Sequence, residues 1–136
     1  MLKTVCIHPE LMKLLAACGH GDKILIADGN YPIDSNTGGG CAKIYLNLTH
    51  GIPLVTDVLS VLEKTIPVEK AETMIPDSGE EPAIFSEFRS ILNGLQPDYL
   101  GRFEFYEACK KENVKVAIAT GEQRIYANIL LTVGVV

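Results

Sequence analysis

The chain has 136 residues, of which 47% are hydrophobic and 21% are charged, as in an ordinary globular domain. Its 12 basic and 17 acidic residues give a formal net charge of −5, which excludes nucleic acid as the main partner because phosphate contacts need clustered Lys and Arg. The sequence contains no apolar run of about 18 residues and opens without a secretory signal, so neither a membrane span nor export is predicted. We expect a single cytoplasmic domain over residues 1–136.

The four cysteines form no CxxC pair and have no histidine at metal-ligand spacing. They are Cys6, Cys18, Cys41 and Cys109. Cys18 and Cys109 fall on the apolar faces of predicted helices, where a free cysteine packs as a small hydrophobic residue. We therefore expect four free thiols, with no metal site and no disulfide framework.

The first half of the chain predicts two helices and two strands. Residues 9–18 suit a helix, because Pro9 fits a first turn, apolar residues recur at helical spacing and Gly19 follows. The nearly continuous apolar run 23–27 is typical of a strand that is covered on both faces. A strand over 43–48 and a helix over 53–66 complete this half.

The second half continues the alternation, with a strand over 68–75, helices over 82–93 and 102–112, and strands over 114–120 and 125–133. Strands that alternate with helices predict a largely parallel sheet with helices on its faces. The four residues 121–124 are too few for a helical crossover, so we expect a tight turn and some antiparallel pairing there. The predicted fold is a three-layer α/β/α domain with a mixed sheet.

Polar residues at the carboxyl ends of the predicted strands are the first candidates for a site, because ligands of open α/β sheets bind there. Asp28 follows the first strand, and His50 and Glu122 follow two others. His20 precedes the first strand, so about five residues of strand, or ~17 Å, separate it from Asp28. A site that uses both side chains needs either a loop that folds back or a contact between subunits.

Each of these residues also has a purely structural interpretation. His20 fits the end of a helix, where an imidazolium interacts favourably with the dipole, and Asp28 fits a turn. His8 and His50 suit a helix cap and a turn better than catalysis. The glycine run 38–40 resembles an anion-binding nest but lacks the Lys-Ser/Thr of a phosphate loop.

Two further features of the second half call for partners. Arg102 begins a predicted helix, where its charge opposes the dipole, which favours a functional reason for it. Tyr126 and Asn128 are polar residues in an otherwise apolar predicted strand and, two positions apart, would point to the same face. Buried polar groups need hydrogen-bond partners, so a neighbour or a ligand is implied.

Over nearly its whole length the chain resembles the D-ribose pyranase and L-fucose mutarotase family. The resemblance rests, in chain order, on Gly19-His20-Gly21-Asp22, the strand that ends at Asp28 with Pro32 four residues on, Thr120-Gly121-Glu122 and Tyr126-Ala127-Asn128-Ile129. Members of this family are small, cofactor-free proteins that interconvert cyclic forms of a monosaccharide. They form ring-shaped homo-oligomers, typically decamers, with sites at subunit contacts. The resemblance therefore implies no metal and no cofactor.

The resemblance also implies roles for individual residues. His20 matches the family's catalytic histidine, Asp28 its sugar-binding carboxylate, and Arg102 the arginine of the fucose branch, where the ribose branch usually has histidine. Tyr126, Ala127 and Asn128 match the C-terminal sugar contacts, and Tyr126 either stacks on the sugar or assists proton movement.

The sequence departs from the family pattern near Asp28 and is divided between its branches. It has Asp28-Gly29-Asn30-Tyr31-Pro32 where Asp-Ala commonly precedes the aromatic residue and Pro. Arg102 favours L-fucose as substrate, whereas Tyr126-Ala127-Asn128 is closer to the ribose branch. We expect an L-fucose mutarotase; the alternatives are a D-ribose pyranase, a non-catalytic sugar-binding or regulatory module, and a structural ring protein.

Overall fold

One six-stranded sheet organises the chain, and the computed structural model describes all of residues 1–136. The strands are β1 (Lys23–Ala27), β2 (Ala42–Tyr45), β3 (Val68–Met74), β4 (Asp98–Leu100), β5 (Val114–Ala119) and β6 (Ile129–Val133). The helices are α1 (Pro9–Ala17), α2 (Val55–Glu63), α3 (Ile84–Ile91) and α4 (Arg102–Cys109). None of the helices is long and apolar enough to cross a bilayer.

The strands lie in the order β2-β5-β1-β6-β3-β4. Only β6 runs antiparallel to its neighbours β1 and β3, and every other adjacent pair is parallel. The predicted mixed, largely parallel sheet is therefore confirmed. The predicted tight turn between β5 and β6 is wrong, because β1 lies between these two strands in the sheet. The antiparallel pairing expected there is formed by β6 with β1 instead. Residues 120–128 instead cross the carboxyl end of β1 before β6 begins.

Helices cover both faces of the sheet, which confirms the three layers. On one face α1, α2 and α3 bury a cluster of 21 residues, and on the other α4 and residues 28–41 bury a cluster of 13. Strand β1 serves both, since Ile24 and Ile26 face the first cluster and Leu25 and Ala27 the second. This two-sided burial explains its continuous apolar sequence.

Two elements differ from the sequence prediction by more than three residues at one end or were not predicted at all. Strand β4 was not predicted, because three residues are too few to show an alternating pattern. Strand β6 begins at Ile129 rather than at residue 125, since Tyr126 has a φ of 62°, a left-handed conformation that no strand accommodates. The four cysteines are free thiols, and burial raises the pKa of Cys109 to about 12.

Candidate functional site

A cavity of about 280 Å³ opens at the carboxyl edge of the sheet, on the face that α4 covers. The end of β1, the segment 120–128 and the first turn of α4 meet there. The cavity is lined by Asp28, Asn30, Tyr31, Met74, Arg102, Tyr106, Ile125, Tyr126 and Asn128. Its size and its mixture of aromatic and hydrogen-bonding side chains suit a small polar ligand with one apolar face.

Asp28 and Asn128 form the buried polar part of this cavity, with 4% and 3% of their surfaces exposed. The Asn128 amide donates to Asp28 Oδ2 (2.9 Å), and the Asp28 backbone N–H donates to Asn128 Oδ1 (2.8 Å). The Asn30 N–H donates to Asp28 Oδ1 (2.9 Å). Burial raises the pKa of the Asp28 carboxyl above its ordinary value, against the lowering effect of these hydrogen bonds. Both oxygens keep acceptor capacity for a hydroxylated ligand.

Tyr126 and Asn128 both line the cavity, but not as neighbours on one strand face. Both precede β6, and the left-handed backbone at Tyr126 sets the direction of its side chain. Ala127 between them is fully buried in the larger core cluster. Its backbone N–H contributes a further hydrogen bond that lowers the pKa of Asp28. Both side chains reach one cavity, as the sequence predicts, but the assignment of residues 125–128 to a strand is wrong.

Arg102 is exposed at the start of α4 and contacts aromatic rings. Its Nε donates to the Tyr106 hydroxyl (3.3 Å), and its guanidinium carbon lies 5.6 Å from the ring centroids of Phe103 and Tyr106. Tyr106 packs edge-on against Tyr31, with centroids 5.4 Å apart. This arrangement leaves the remaining guanidinium N–H groups of Arg102 available at the cavity.

Two aromatic members of the cavity, Tyr31 and Tyr106, were missed as site residues. From the sequence, Tyr31 is a turn residue and Tyr106 a core residue of α4. Tyr31 is indeed mostly buried, and its hydroxyl donates to the Asn36 carbonyl (2.9 Å). The available signal was the position of Tyr31 four residues after the end of β1 and of Tyr106 one helical turn after Arg102.

The segment that carries Tyr126 is fixed by an ion-pair cluster around Glu122. The Glu122 side chain is 2% exposed and accepts from Arg124 Nε (2.9 Å) and Nη2 (2.8 Å). Arg124 Nη1 donates to Glu87 on α3 (2.6 Å). Burial alone raises the pKa of the Glu122 carboxyl, but the hydrogen bonds from Arg124 outweigh it, so this pKa lies below its ordinary value. A bidentate guanidinium–carboxylate pair gives this segment a defined geometry.

His8 and His50 have the helix-cap and turn positions that their structural interpretations predict. His8 Nδ1 accepts from the Leu11 N–H (3.1 Å) and caps α1. His50 is exposed in a turn and lines a neighbouring polar depression of about 630 Å³. A Cβ at Gly38 would lie 2.9 Å from the Lys110 carbonyl oxygen, so this glycine permits close packing.

His20 lies at the opposite edge of the sheet from this cavity. The Gly21 N–H donates to the carbonyl of Val133, the last residue of β6 (2.9 Å). His20 Nε2 lies 3.0 Å from Oε2 of Glu69, the second residue of β3, whose last residue Met74 lines the cavity. The His20 side chain is 60% exposed. The loop does not fold back, so within one chain the structure brings together Asp28, Arg102, Tyr126 and Asn128 without His20.

The whole chain, residues 1–136, matches the model of the RbsD / FucU transport protein family. A D-ribose pyranase of Bacillus subtilis (strain 168) is 37% identical over 137 residues, which cover 99% of this chain and 98% of the relative. A fucose mutarotase of Bos taurus is 35% identical over 139 residues, which cover 95% of this chain and 89% of the relative.

Solved structures show the same likeness. RbsD of Bacillus subtilis complexed with D-ribose superposes with a TM-score of 0.86 at 32% identity, covering 100% of this chain and 99% of that one. The fucose mutarotase of Streptococcus pneumoniae in complex with L-fucose gives a TM-score of 0.82 at 31% identity, with the same coverage. The chain therefore belongs to the RbsD / FucU family, which includes D-ribose pyranases and fucose mutarotases.

Proposed function

We propose that this chain is a cofactor-free isomerase that opens and recloses the ring of a monosaccharide, most readily L-fucose. The supporting observation is the convergence of Asp28, Arg102, Tyr126 and Asn128 on one cavity at the carboxyl edge of the sheet. These groups supply acceptors, a cationic donor and an aromatic ring, which is what recognition of a sugar's hydroxyls and apolar face requires. The named activities of the family's members support the same reaction class.

Ring opening needs two proton transfers and no oxidation. The anomeric hydroxyl loses its proton, its oxygen becomes a carbonyl, and the bond from the anomeric carbon to the ring oxygen breaks. The ring oxygen keeps the electron pair and accepts a proton. In the proposed mechanism the neutral His20 imidazole takes the first proton, and the Tyr126 hydroxyl supplies the second. Return of both protons after rotation of the carbonyl recloses the ring. Positioned acid–base groups of this kind contribute typically ~10²–10⁴-fold.

The separation of His20 from the cavity supports a site shared between subunits. In this proposal the chain forms a cytoplasmic, ring-shaped homo-oligomer, a decamer by family resemblance, in which His20 of one protomer meets the cavity of the next. His20 is accessible for such a contact, since its side chain is 60% exposed in the single chain. Tyr126 and Arg102 lie at the mouth of the cavity, where a neighbour can reach a bound sugar.

The direct test is anomer exchange measured by NMR on L-fucose and on D-ribose. We expect His20→Ala to keep the fold and to abolish catalysed exchange of both sugars, while His50→Ala, an exposed histidine outside the cavity, keeps it. An unchanged exchange rate in His20→Ala would remove His20 from the mechanism.

D-ribose is the second candidate substrate, favoured by the Tyr126-Ala127-Asn128 sequence and by the likeness to RbsD complexed with D-ribose. A non-catalytic sugar-binding module is the alternative from another class. It would broaden the sugar's NMR signals and raise the thermal midpoint without accelerating exchange.

A further inference from the structure

Glu69 is the residue against which the His20 ring is held. Both of its carboxylate oxygens lie within hydrogen-bond distance of His20 Nε2, Oε1 at 3.1 Å and Oε2 at 3.0 Å. We infer that Glu69 is a positioning residue, which holds the His20 ring and fixes its tautomer for proton transfer. The inference rests on the proposed function, because it assigns Glu69 a role beside His20 in the same proposed site.

The backbone on either side of this pair is well fixed. Asp22 Oδ2 accepts from the Gly19 N–H (2.9 Å), and the Asn113 amide donates to the Gly21 carbonyl (3.1 Å). The loop that carries His20 is therefore tied to its own turn and to the start of β5. Glu69 belongs to β3, whose pairing with β6 brings it beside the same loop. A ring held between two fixed backbones loses little freedom when it binds a substrate.

The glycine that follows β6 provides the space for the Glu69 side chain. A Cβ at Gly134 would lie 3.1 Å from Glu69 Cβ and 3.5 Å from Glu69 Oε2. The Gly134 N–H also donates to the Pro67 carbonyl (2.8 Å), which keeps this backbone close to the start of β3. A larger residue at position 134 would therefore crowd the Cβ of Glu69, from which the carboxylate that contacts His20 extends.

The contact between Glu69 and His20 Nε2 determines which nitrogen of the His20 ring carries the hydrogen. A carboxylate only accepts hydrogen bonds, so Nε2 must carry the hydrogen that it donates to Glu69. In the neutral ring Nδ1 then keeps its lone pair and is the atom that accepts the proton of the anomeric hydroxyl. The carboxylate stabilises the imidazolium that this transfer creates.

No other carboxylate of this corner replaces Glu69. Asp22, on the loop itself, uses Oδ2 to accept from Gly19. Two other titratable groups near the loop are the Cys18 thiol, whose pKa burial and Asp22 raise, and Lys115 of β5, which lowers that pKa. Of these groups, Glu69 is the one in direct contact with the His20 imidazole, so removal of the Glu69 charge acts directly on that ring.

The test compares Glu69→Gln, which keeps an acceptor oxygen but removes the charge, with Glu69→Asp and with the control Glu107→Gln. Glu107 is an exposed glutamate of α4 that forms an ion pair with Lys110. For the intact oligomer we measure kcat and KM for sugar exchange from pH 5 to 8, and the His20 ring by ¹⁵N NMR. The Glu69 side chain is exposed, and circular dichroism verifies that each variant keeps the fold.

We expect Glu69→Gln to lower kcat about tenfold, a part of the ~10²–10⁴-fold that positioned acid–base groups contribute, with little change in KM. The ¹⁵N shifts of the parent should show the hydrogen of the neutral His20 ring on Nε2. Glu69→Asp should recover part of kcat, and Glu107→Gln should match the parent. A wild-type kcat in Glu69→Gln, or a neutral His20 ring in the parent that carries its hydrogen on Nδ1, would overturn the inference. Full activity in His20→Ala would instead refute the proposed mechanism, while the ¹⁵N data would still show whether Glu69 sets the tautomer.

Discussion

Asp28 and Asn128 hold each other across 100 positions of sequence by two hydrogen bonds, one through the Asp28 backbone and one through its carboxylate. The pair joins the end of β1 to the residue that precedes β6, and so fixes the floor of the candidate sugar cavity. Because both side chains are buried, their hydrogen bonds have no water to replace them.

Asn128→Asp should therefore destabilise the chain, by about 1–3 kcal/mol, and weaken sugar binding. The change replaces the amide donor by a second carboxyl beside Asp28. At low pH one of the two carboxyls keeps a proton and can donate again, so the loss should be smaller at pH 5 than at pH 8. Denaturant unfolding at both pH values measures this. Asn47→Asp is the control, because Asn47 is exposed and does not line the cavity. Equal losses of unfolding free energy in the two variants would show that the Asn128 amide does not hold Asp28.

Glu122→Gln should release the segment that carries Tyr126. The Glu122 carboxylate accepts from the Arg124 guanidinium, and hydrogen bonds to charged groups contribute about 1.5–3 kcal/mol each. We expect a loss of unfolding free energy at pH 7 and a lower affinity for the sugar by NMR titration. The exposed Glu107→Gln is again the control, and a loss no larger than in that variant would show that the cluster does not hold the segment.

The same variant gives a pH prediction. The folded-state pKa of Glu122 lies below its ordinary value of 4.5. The stability that it contributes is therefore complete above about pH 4.5 and is lost as the pH falls through the folded-state value. The difference in unfolding free energy between the parent and Glu122→Gln should shrink between pH 6 and pH 3. A constant difference over this range would exclude the charge as its source.

Gly121→Ala should be among the most damaging single substitutions. A Cβ at this position would lie 2.2 Å from the Thr49 carbonyl oxygen and 2.7 Å from Ile52 backbone atoms. Backbone cannot move aside as a side chain can, so we expect a loss of about 3 kcal/mol or more. Gly39→Ala is the matched control, because no atom lies within 4 Å of a Cβ there. Similar unfolding midpoints for the two variants would refute the close approach.

Arg102→His should move sugar preference from L-fucose toward D-ribose. Arg102 is exposed at the cavity and presents several N–H groups, of which Nε is shared with Tyr106. Loss of a charged donor costs about 1.5–3 kcal/mol, or roughly tenfold to a hundredfold in affinity, for the sugar that uses it. Exchange rates on both sugars measure the shift. Equal losses on L-fucose and D-ribose would show that Arg102 does not select between them.

Apolar periodicity and strand-to-helix alternation were sufficient to predict the layers and nearly every element. The partner of β6 was not predictable, because a short connection suggests pairing with the preceding strand, while β1 takes that place. The left-handed backbone at Tyr126 was also hidden, since tyrosine rarely adopts it.

The candidate site was predictable only in part. Residues at the ends of strands could be placed at one edge from topology, which identified Asp28 and Glu122. The contact of His20 with Glu69 could not be predicted, because it depends on the pairing of β3 with β6 across a sheet whose strand order the sequence does not reveal.

The most direct test of a site shared between subunits is complementation between two inactive variants. His20→Ala and Asp28→Ala chains are co-expressed, purified as mixed oligomers and compared with each variant alone in the anomer-exchange assay. If His20 of one protomer serves the cavity of another, random mixing restores about a quarter of the sites, each with its His20 and Asp28 from different chains. We therefore expect recovery of about that fraction of the parent's exchange rate, as a shared site requires. Mixed oligomers no more active than the two variants alone would contradict it.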